Sequence, residues 1–194
     1  MAHGAERTVA QGADKLSKIG LHQKDRLLAL EIRSQKFGFA VFEGPTRLLD
    51  WGVRRCEGPE SHLQIIVSEK TGSLLDCYAP SAVVIRQRYQ LASRASRRSG
   101  LITRGVRAEA KRVSAEFRLL STSAVRRFFD QTGSATKHEI ASTLAEWFIE
   151  LAWKLPAKRK PWQSENYQMV IFDAVATGAA FLALKDAMKN VDGH

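Results

Sequence analysis

The sequence predicts an α/β domain built on a mixed five-stranded sheet, three strands antiparallel and two parallel, with helices on its faces. Three observations predict it. Short apolar runs of strand length open the chain, helical stretches then alternate with strands, and single charges mark the ends of otherwise apolar strands. The 194 residues suit one such domain with a sizeable core.

The opening strands read as a meander. Leu27-Leu28-Ala29-Leu30-Glu31-Ile32 is a buried strand carrying one carboxylate near its end, and residues 37–42 form the second strand. Residues 48–54 form the third, entered through the turn residues Gly44-Pro45. A helical pattern over about 60–75 places Leu63, Ile66 and Val67 on one face, and Tyr78-Ala79-Pro80 closes it. Ala82-Val83-Val84-Ile85 is a short apolar strand that ends in Arg86.

Residues 99–113 read as a basic helix and 117–121 as a fifth strand. A short basic helix over 123–129 has Val125, Phe128 and Phe129 as its apolar face. Thr136-Lys137-His138-Glu139 is a capping box, an N-cap hydroxyl followed three residues later by Glu. It opens a helix through Ile140, Leu144, Trp147, Phe148 and Leu151, with Trp147, Phe148 and Trp153 assigned to the core or to a dimer interface. A basic, proline-bounded loop over 154–162 breaks that helix, and the last helix runs from about 166 to 188. Residues 1–22 read as a flexible polar arm and 23–190 as the folded domain.

Composition excludes several classes. No apolar run approaches the roughly 20 residues that span a bilayer. Cys56 and Cys77 support neither a disulfide framework nor a zinc site, and fit two reduced thiols in a cytoplasmic protein. A net charge of +10 and a sequence pI near 9.9 imply a polyanionic partner, most often nucleic acid. The excess is local: Arg86, Arg88, Arg94, Arg97, Arg98, Arg104, Arg107, Lys111 and Arg112 are opposed only by Glu109. A solvated helix face normally mixes signs, so this stretch reads as a phosphate contact. An acidic protein or an anionic membrane surface is the other partner such a face could meet.

Three charges stand where burial is expected: Glu31 at a strand end, Arg86 at another, and Asp173 inside an apolar helix. An uncompensated charge against a core costs several kcal/mol, so such residues have partners or a task.

Three antiparallel strands followed by helix, strand, helix, strand and terminal helices is the order of the ribonuclease H-like fold. In detail the chain, from about residue 27 to 184, resembles the Holliday-junction resolvases of the RuvC type. Leu28-Ala29-Leu30-Glu31, Ser34 and Gly38-Phe39-Ala40-Val41 are similar to the family's opening strands. Val84-Ile85-Arg86-Gln87-Arg88-Tyr89 falls on its second acidic motif, and Thr103-Arg104-Gly105-Val106 on the start of the next helix. Val125-Arg126, Gly133-Ser134-Ala135-Thr136-Lys137, Leu155-Pro156 and Asp173-Ala174-Val175-Ala176 match later elements in order and spacing.

The resemblance implies a DNA-binding homodimer acting on branched or duplex DNA, with four carboxylates holding Mg²⁺ or Mn²⁺. It places the catalytic and metal-binding positions at Glu31, Arg86, Val170 and Asp173, of which only Glu31 and Asp173 are acidic. Two readings follow. Arg86 pairs directly with Glu31 and Asp173 and nuclease activity is lost, or an altered endonuclease persists with a carboxylate borrowed from Glu165 or Glu109. A third places the chain as a structural subunit of a larger assembly. The resemblance also puts Arg126 and Lys137 near phosphate beside the pocket, and Tyr89 where a base could stack. Gly133-Ser134 at a helix start could receive a phosphate. Trp162, in the basic loop, could meet a single strand or a partner, and His138 reads as a surface residue.

Overall fold

The computed structural model describes residues 25–87, 94–134, 136–160 and 162–192. Strands β1 (Arg26–Ile32), β2 (Lys36–Glu43) and β3 (Leu48–Arg55) form an antiparallel meander. Helix α1 (Glu60–Tyr78) leads to β4 (Ala82–Gln87), and α2 (Arg94–Arg112) leads to β5 (Glu116–Ser121). β4 lies parallel to β1 and β5 parallel to β4, giving the sheet order β3-β2-β1-β4-β5. Helices α3 (Thr122–Asp130), α4 (Lys137–Trp147) and α5 (Met169–Asp192) complete the chain, with a 3₁₀ turn over Ile149–Lys154 after α4. The mixed sheet of three antiparallel and two parallel strands is the one the sequence predicts, and the expected arm over 1–22 lies outside the described residues.

Two apolar layers sandwich the sheet, and the two-residue period of a strand decides which side chain enters which. Leu28, Leu30, Phe39, Val83 and Ile85 face α1 and α2, joined by Leu63, Val67, Ile102 and Val106. Leu27, Ala29, Ala40, Phe42, Ala82 and Val84 face the other way, against α3, α4 and α5. Alternation therefore sends Glu31 and Arg86 toward α5.

The first half of α5 is buried nearly all round, as expected of a helix held between a sheet and other helices. It comes unusually close to β2. A Cβ added to Gly38 would lie 2.2 Å from the Val170 carbonyl oxygen, and one added to Gly178 would lie 2.2 Å from the Phe42 ring. These two contacts set the height of α5 above the sheet, and with it the position of Asp173.

Several expectations change in detail. α4 stops at Trp147 instead of running through Leu151. Phe148 leaves the helical region at φ −122°, ψ 85°, and the chain tightens into the 3₁₀ turn. Phe148 and Leu151 are buried as expected, and Trp147 stacks on Phe129, but Trp153 is 72% exposed, with Lys154 Nζ 3.8 Å above its ring. Both cysteines are free; burial pushes the Cys56 thiol up to about 11, whereas Cys77 is exposed. Among the described residues, no helix is long and apolar enough to cross a membrane.

Candidate nucleic-acid site over the sheet

The site lies at the C-terminal ends of β1 and β4, the two parallel strands at the centre of the sheet. Leu30 pairs with Ile85, so the next residues, Glu31 and Arg86, leave the sheet side by side on the same face. α5 passes above them and lowers Asp173 onto the pair. Glu31 is fully buried, Asp173 is 5% exposed and Arg86 is 9% exposed.

Arg86 joins the two carboxylates. Its Nε donates to Glu31 Oε2 at 2.6 Å, and its Nη2 lies 2.8 Å from Asp173 Oδ1. The second contact is a close ion pair. Burial works against the Arg86 charge, but Glu31 and Asp173 outweigh it and raise its pKa above the ordinary value. Burial likewise favours a neutral Asp173, yet the charges of Arg86 and Lys137 hold its carboxyl below the usual range. Arg86 and Asp173 are therefore both charged at neutral pH.

Two further cations complete the cluster from the solvent side. Arg33, in the turn between β1 and β2, places Nη2 2.7 Å from Asp173 Oδ2 and Nε 3.6 Å from Glu31 Oε1. Lys137, the first residue of α4, donates from Nζ to the same Oδ2 at 2.9 Å. Both also hold Glu165, Arg33 at 3.2 Å and Lys137 in a very close contact. Glu165 lies in the loop before α5 and not on the helix.

Arg33 was not among the candidate residues. It stands two positions after Glu31, hence on the same face, and that spacing at a strand end was the available signal. Its partners Asp173 and Glu165 are distant in sequence, so no local pattern reveals the contact.

Other candidates separate into three groups. Arg97, Arg104, Arg126 and Lys137 are exposed. Arg97 and Arg104 lie seven residues apart on one stripe of α2, a spacing that Lys111 repeats. Arg98 is the exception. Its guanidinium is buried and donates to the carbonyls of Ser34 at 2.8 Å and Cys56 at 2.9 Å, fastening α2 to the strand ends. That commitment removes it from a phosphate-binding surface, as the ion pairs do for Arg86. Arg88, Tyr89 and the Arg94 side chain lie outside the described residues.

Val170, at the position of a family acid, is an apolar core residue against Gly38. Glu109 accepts from Ser68 and Arg112 between α1 and α2, on the opposite side of the sheet, and cannot supply the cluster with a carboxylate. The capping box forms as expected, Thr136 accepting from Glu139 N at 3.2 Å and donating its own N–H to Glu139 Oε2 at 2.9 Å. The Ser134 side chain turns inward and shares a 2.8 Å hydrogen bond with Thr143. His138 is half-buried and contacts the Pro156 carbonyl at 3.1 Å. Trp162 is 78% exposed.

A divalent cation does not fit these residues. Among the described residues no three His, Cys, Asp or Glu side chains gather to hold one. Two carboxylates are a thin shell for Mg²⁺ or Mn²⁺, and both are engaged by Arg86. A divalent ion about 4 Å from the guanidinium would also meet repulsion of roughly 8 kcal/mol at an effective dielectric constant near 20.

This sheet order, with helices on both faces, is that of the ribonuclease H-like fold. Solved structures of RuvC and of another Holliday junction resolvase share it. Thermus thermophilus RuvC in complex with a Holliday junction substrate superposes with a TM-score of 0.66 at 14% identity, over 84% of this chain and 96% of that one. A second T. thermophilus RuvC structure gives a TM-score of 0.64 at 16% identity, with the same coverage. The yeast mitochondrial Holliday junction resolvase Ydc2 gives 0.58 at 11% identity, over 92% of this chain and 89% of that one. No protein-family model and no curated protein sequence matches the chain.

Proposed function

We propose that this chain is a RuvC-like protein that binds branched or duplex DNA through backbone phosphates and does not cut it. One observation carries the reading: the Arg86 guanidinium stands between Glu31 and Asp173, with contacts of 2.6 and 2.8 Å. It supplies a fixed positive charge where a nuclease of this fold needs a mobile divalent one. Metal-assisted hydrolysis needs a cation to generate hydroxide and to stabilise the leaving oxygen. A guanidinium bound to two carboxylates has neither open coordination positions nor a bound water to activate.

DNA as the partner is supported by the charge of +10 and by likeness to a RuvC bound to a Holliday junction substrate. The exposed residues Arg97, Arg104, Arg126 and Lys137 are the proposed phosphate contacts, and the sequence adds Arg88, Tyr89 and Arg94 as candidates outside the described side chains. A homodimer would present that surface twice, matching the symmetry of a four-way junction.

The test is an assay on one four-way junction and one duplex, in the presence of Mg²⁺ and of Mn²⁺. Binding that weakens linearly with salt on logarithmic axes, without cleavage, is the expected result. Cleavage abolished by Asp173→Asn would instead establish an active endonuclease with an altered metal site. Failure to bind either DNA would leave a structural role in a larger assembly.

A further inference from the structure

We propose that Arg33 and Lys137 form a phosphate-binding pair that Glu165 covers in the free protein, so that a DNA backbone phosphate enters by exchanging with the Glu165 carboxylate. This inference rests on the DNA-binding reading and names how one place in the site is occupied and vacated.

The charges are layered. The buried inner groups are Glu31, Asp173 and Arg86, whose formal charges sum to −1. Arg33 and Lys137 sit above them, with side chains 22% and 45% exposed, and bring the sum to +1. Glu165 bridges the two cations and returns the sum to zero. Both outer cations already touch Asp173 Oδ2, at 2.7 and 2.9 Å, so the buried carboxylate fixes their head groups whether Glu165 is present or not. Remove Glu165 and a preorganised pair of donors carrying one net positive charge faces solvent.

Glu165 is the replaceable member. Its side chain is 38% exposed and lies in the loop before α5, outside regular structure. Exposed ion pairs of this kind contribute little, so their loss is easily offset by an incoming anion. Arg33 and Lys137 are fixed by comparison, one in a tight turn closed by Arg33 N–H to Lys36 O at 2.9 Å and the other in the first turn of a capped helix. A phosphodiester offers the same chemistry as the carboxylate, two acceptor oxygens sharing one negative charge.

The surroundings suit a polyanion rather than an isolated ion. Two residues after Glu165, the Tyr167 ring has Lys36 Nζ 3.7 Å from its centroid and the Arg55 guanidinium 5.8 Å away. Lys36 is depressed in pKa by burial and then by repulsion from Arg33, a sign of crowded positive charge that Glu165 partly relieves. None of these three cations belongs to the basic run on α2, so they extend the proposed contact surface to the β1–β2 turn and the end of β3.

The experiment measures fluorescence anisotropy of a labelled four-way junction over about 50 to 200 mM salt, for the parent and three variants. Glu165→Gln should bind about two- to five-fold more tightly, the range that an exposed ion pair allows, with a steeper salt dependence. Glu116→Gln makes the same change in net charge at the opposite end of the sheet, where Glu116 pairs with Arg118, and should move binding by less than two-fold. Lys137→Met added to Glu165→Gln should cancel the gain. Unchanged or weaker binding by Glu165→Gln, an equal gain from Glu116→Gln, or a gain that persists without Lys137 overturns the inference while the DNA-binding reading stands. Absence of binding in all four proteins overturns that reading and the inference with it.

Discussion

Replacing Arg86 with methionine removes the inner cation and keeps most of the side-chain volume. Glu31, fully buried, then loses its closest partner, and Asp173 loses one of its cations. Breaking a buried ion pair from one side costs about 3–5 kcal/mol, because the remaining charge stays desolvated. Here Arg33 still lies 2.7 Å from Asp173 but 3.6 Å from Glu31, so Asp173 is compensated and Glu31 poorly so. The expected loss at pH 7 is therefore at the low end, about 3 kcal/mol. That is a large fraction of the 5–15 kcal/mol typical of a whole domain.

The loss depends on pH, and its sign follows from Asp173. In the parent, its folded pKa lies below the ordinary value of 3.8, so its contribution is present above that value and fades as pH falls through the folded one. Without Arg86 burial opposes fewer cations, and the shared carboxylate cluster takes up a proton more readily in the folded state. The variant is then relieved as pH falls toward the ordinary carboxylate range, where the parent's Asp173 contribution is still intact. Urea unfolding followed by tryptophan fluorescence, at several pH values, reads both effects. A variant within about 1 kcal/mol of the parent, with a difference independent of pH, would refute the account of Arg86 as the charge that allows Glu31 and Asp173 to be buried.

Two further outcomes follow from the same geometry. Arg86→Glu places three carboxylates at one point, so the variant should unfold early in chelator, and Mn²⁺ at about 100 times its dissociation constant should restore about 2.7 kcal/mol. The parent's thermal midpoint should not respond to Mn²⁺, and a response of equal size in both would remove the argument against a cation. Gly38→Ala drives a Cβ to 2.2 Å from the Val170 carbonyl oxygen, a backbone atom that cannot rotate away. It should cost about 1–3 kcal/mol in chemical denaturation and loosen the contact between Asp173 and Arg86. A neutral result would show that α5 can rise without penalty.

The sheet was legible in the sequence because strand alternation and turn residues act locally. Apolar surroundings marked Glu31, Arg86 and Asp173 as charges in places of burial, and the family resemblance was what set the three at one site. Thr136 and Glu139 declared the start of α4 because a capping box needs only four residues. The end of α4 was not legible: Phe148 leaves the helix to fill the core beside Phe42, a tertiary demand that a helical spacing of apolar residues cannot convey. Arg98 resembled its exposed neighbours, and only the carbonyls of Ser34 and Cys56, far away in sequence, bury it. Arg33 and Glu165 stayed hidden for the same reason, being 132 residues apart.

The backbone features that assemble the site do not depend on the residue at position 86. Parallel pairing of β1 with β4 aligns it with Glu31, and the close approach at Gly38 brings Asp173 down onto both. The fold thus delivers three side chains to one point, and their identity decides what that point can do. Glu31, Asp173 and an acid there would form a carboxylate cluster of the kind a divalent ion neutralises. Arg86 instead leaves the inner layer one negative charge, which Arg33 and Lys137 more than offset from the solvent side and Glu165 returns to neutral. Those two cations stand where the fold meets solvent, so on the proposed reading a guanidinium in place of a metal would remove the means of hydrolysis while keeping positive charge at the surface. Cutting and gripping would then be separable, because the first depends on the buried layer and the second on the exposed one.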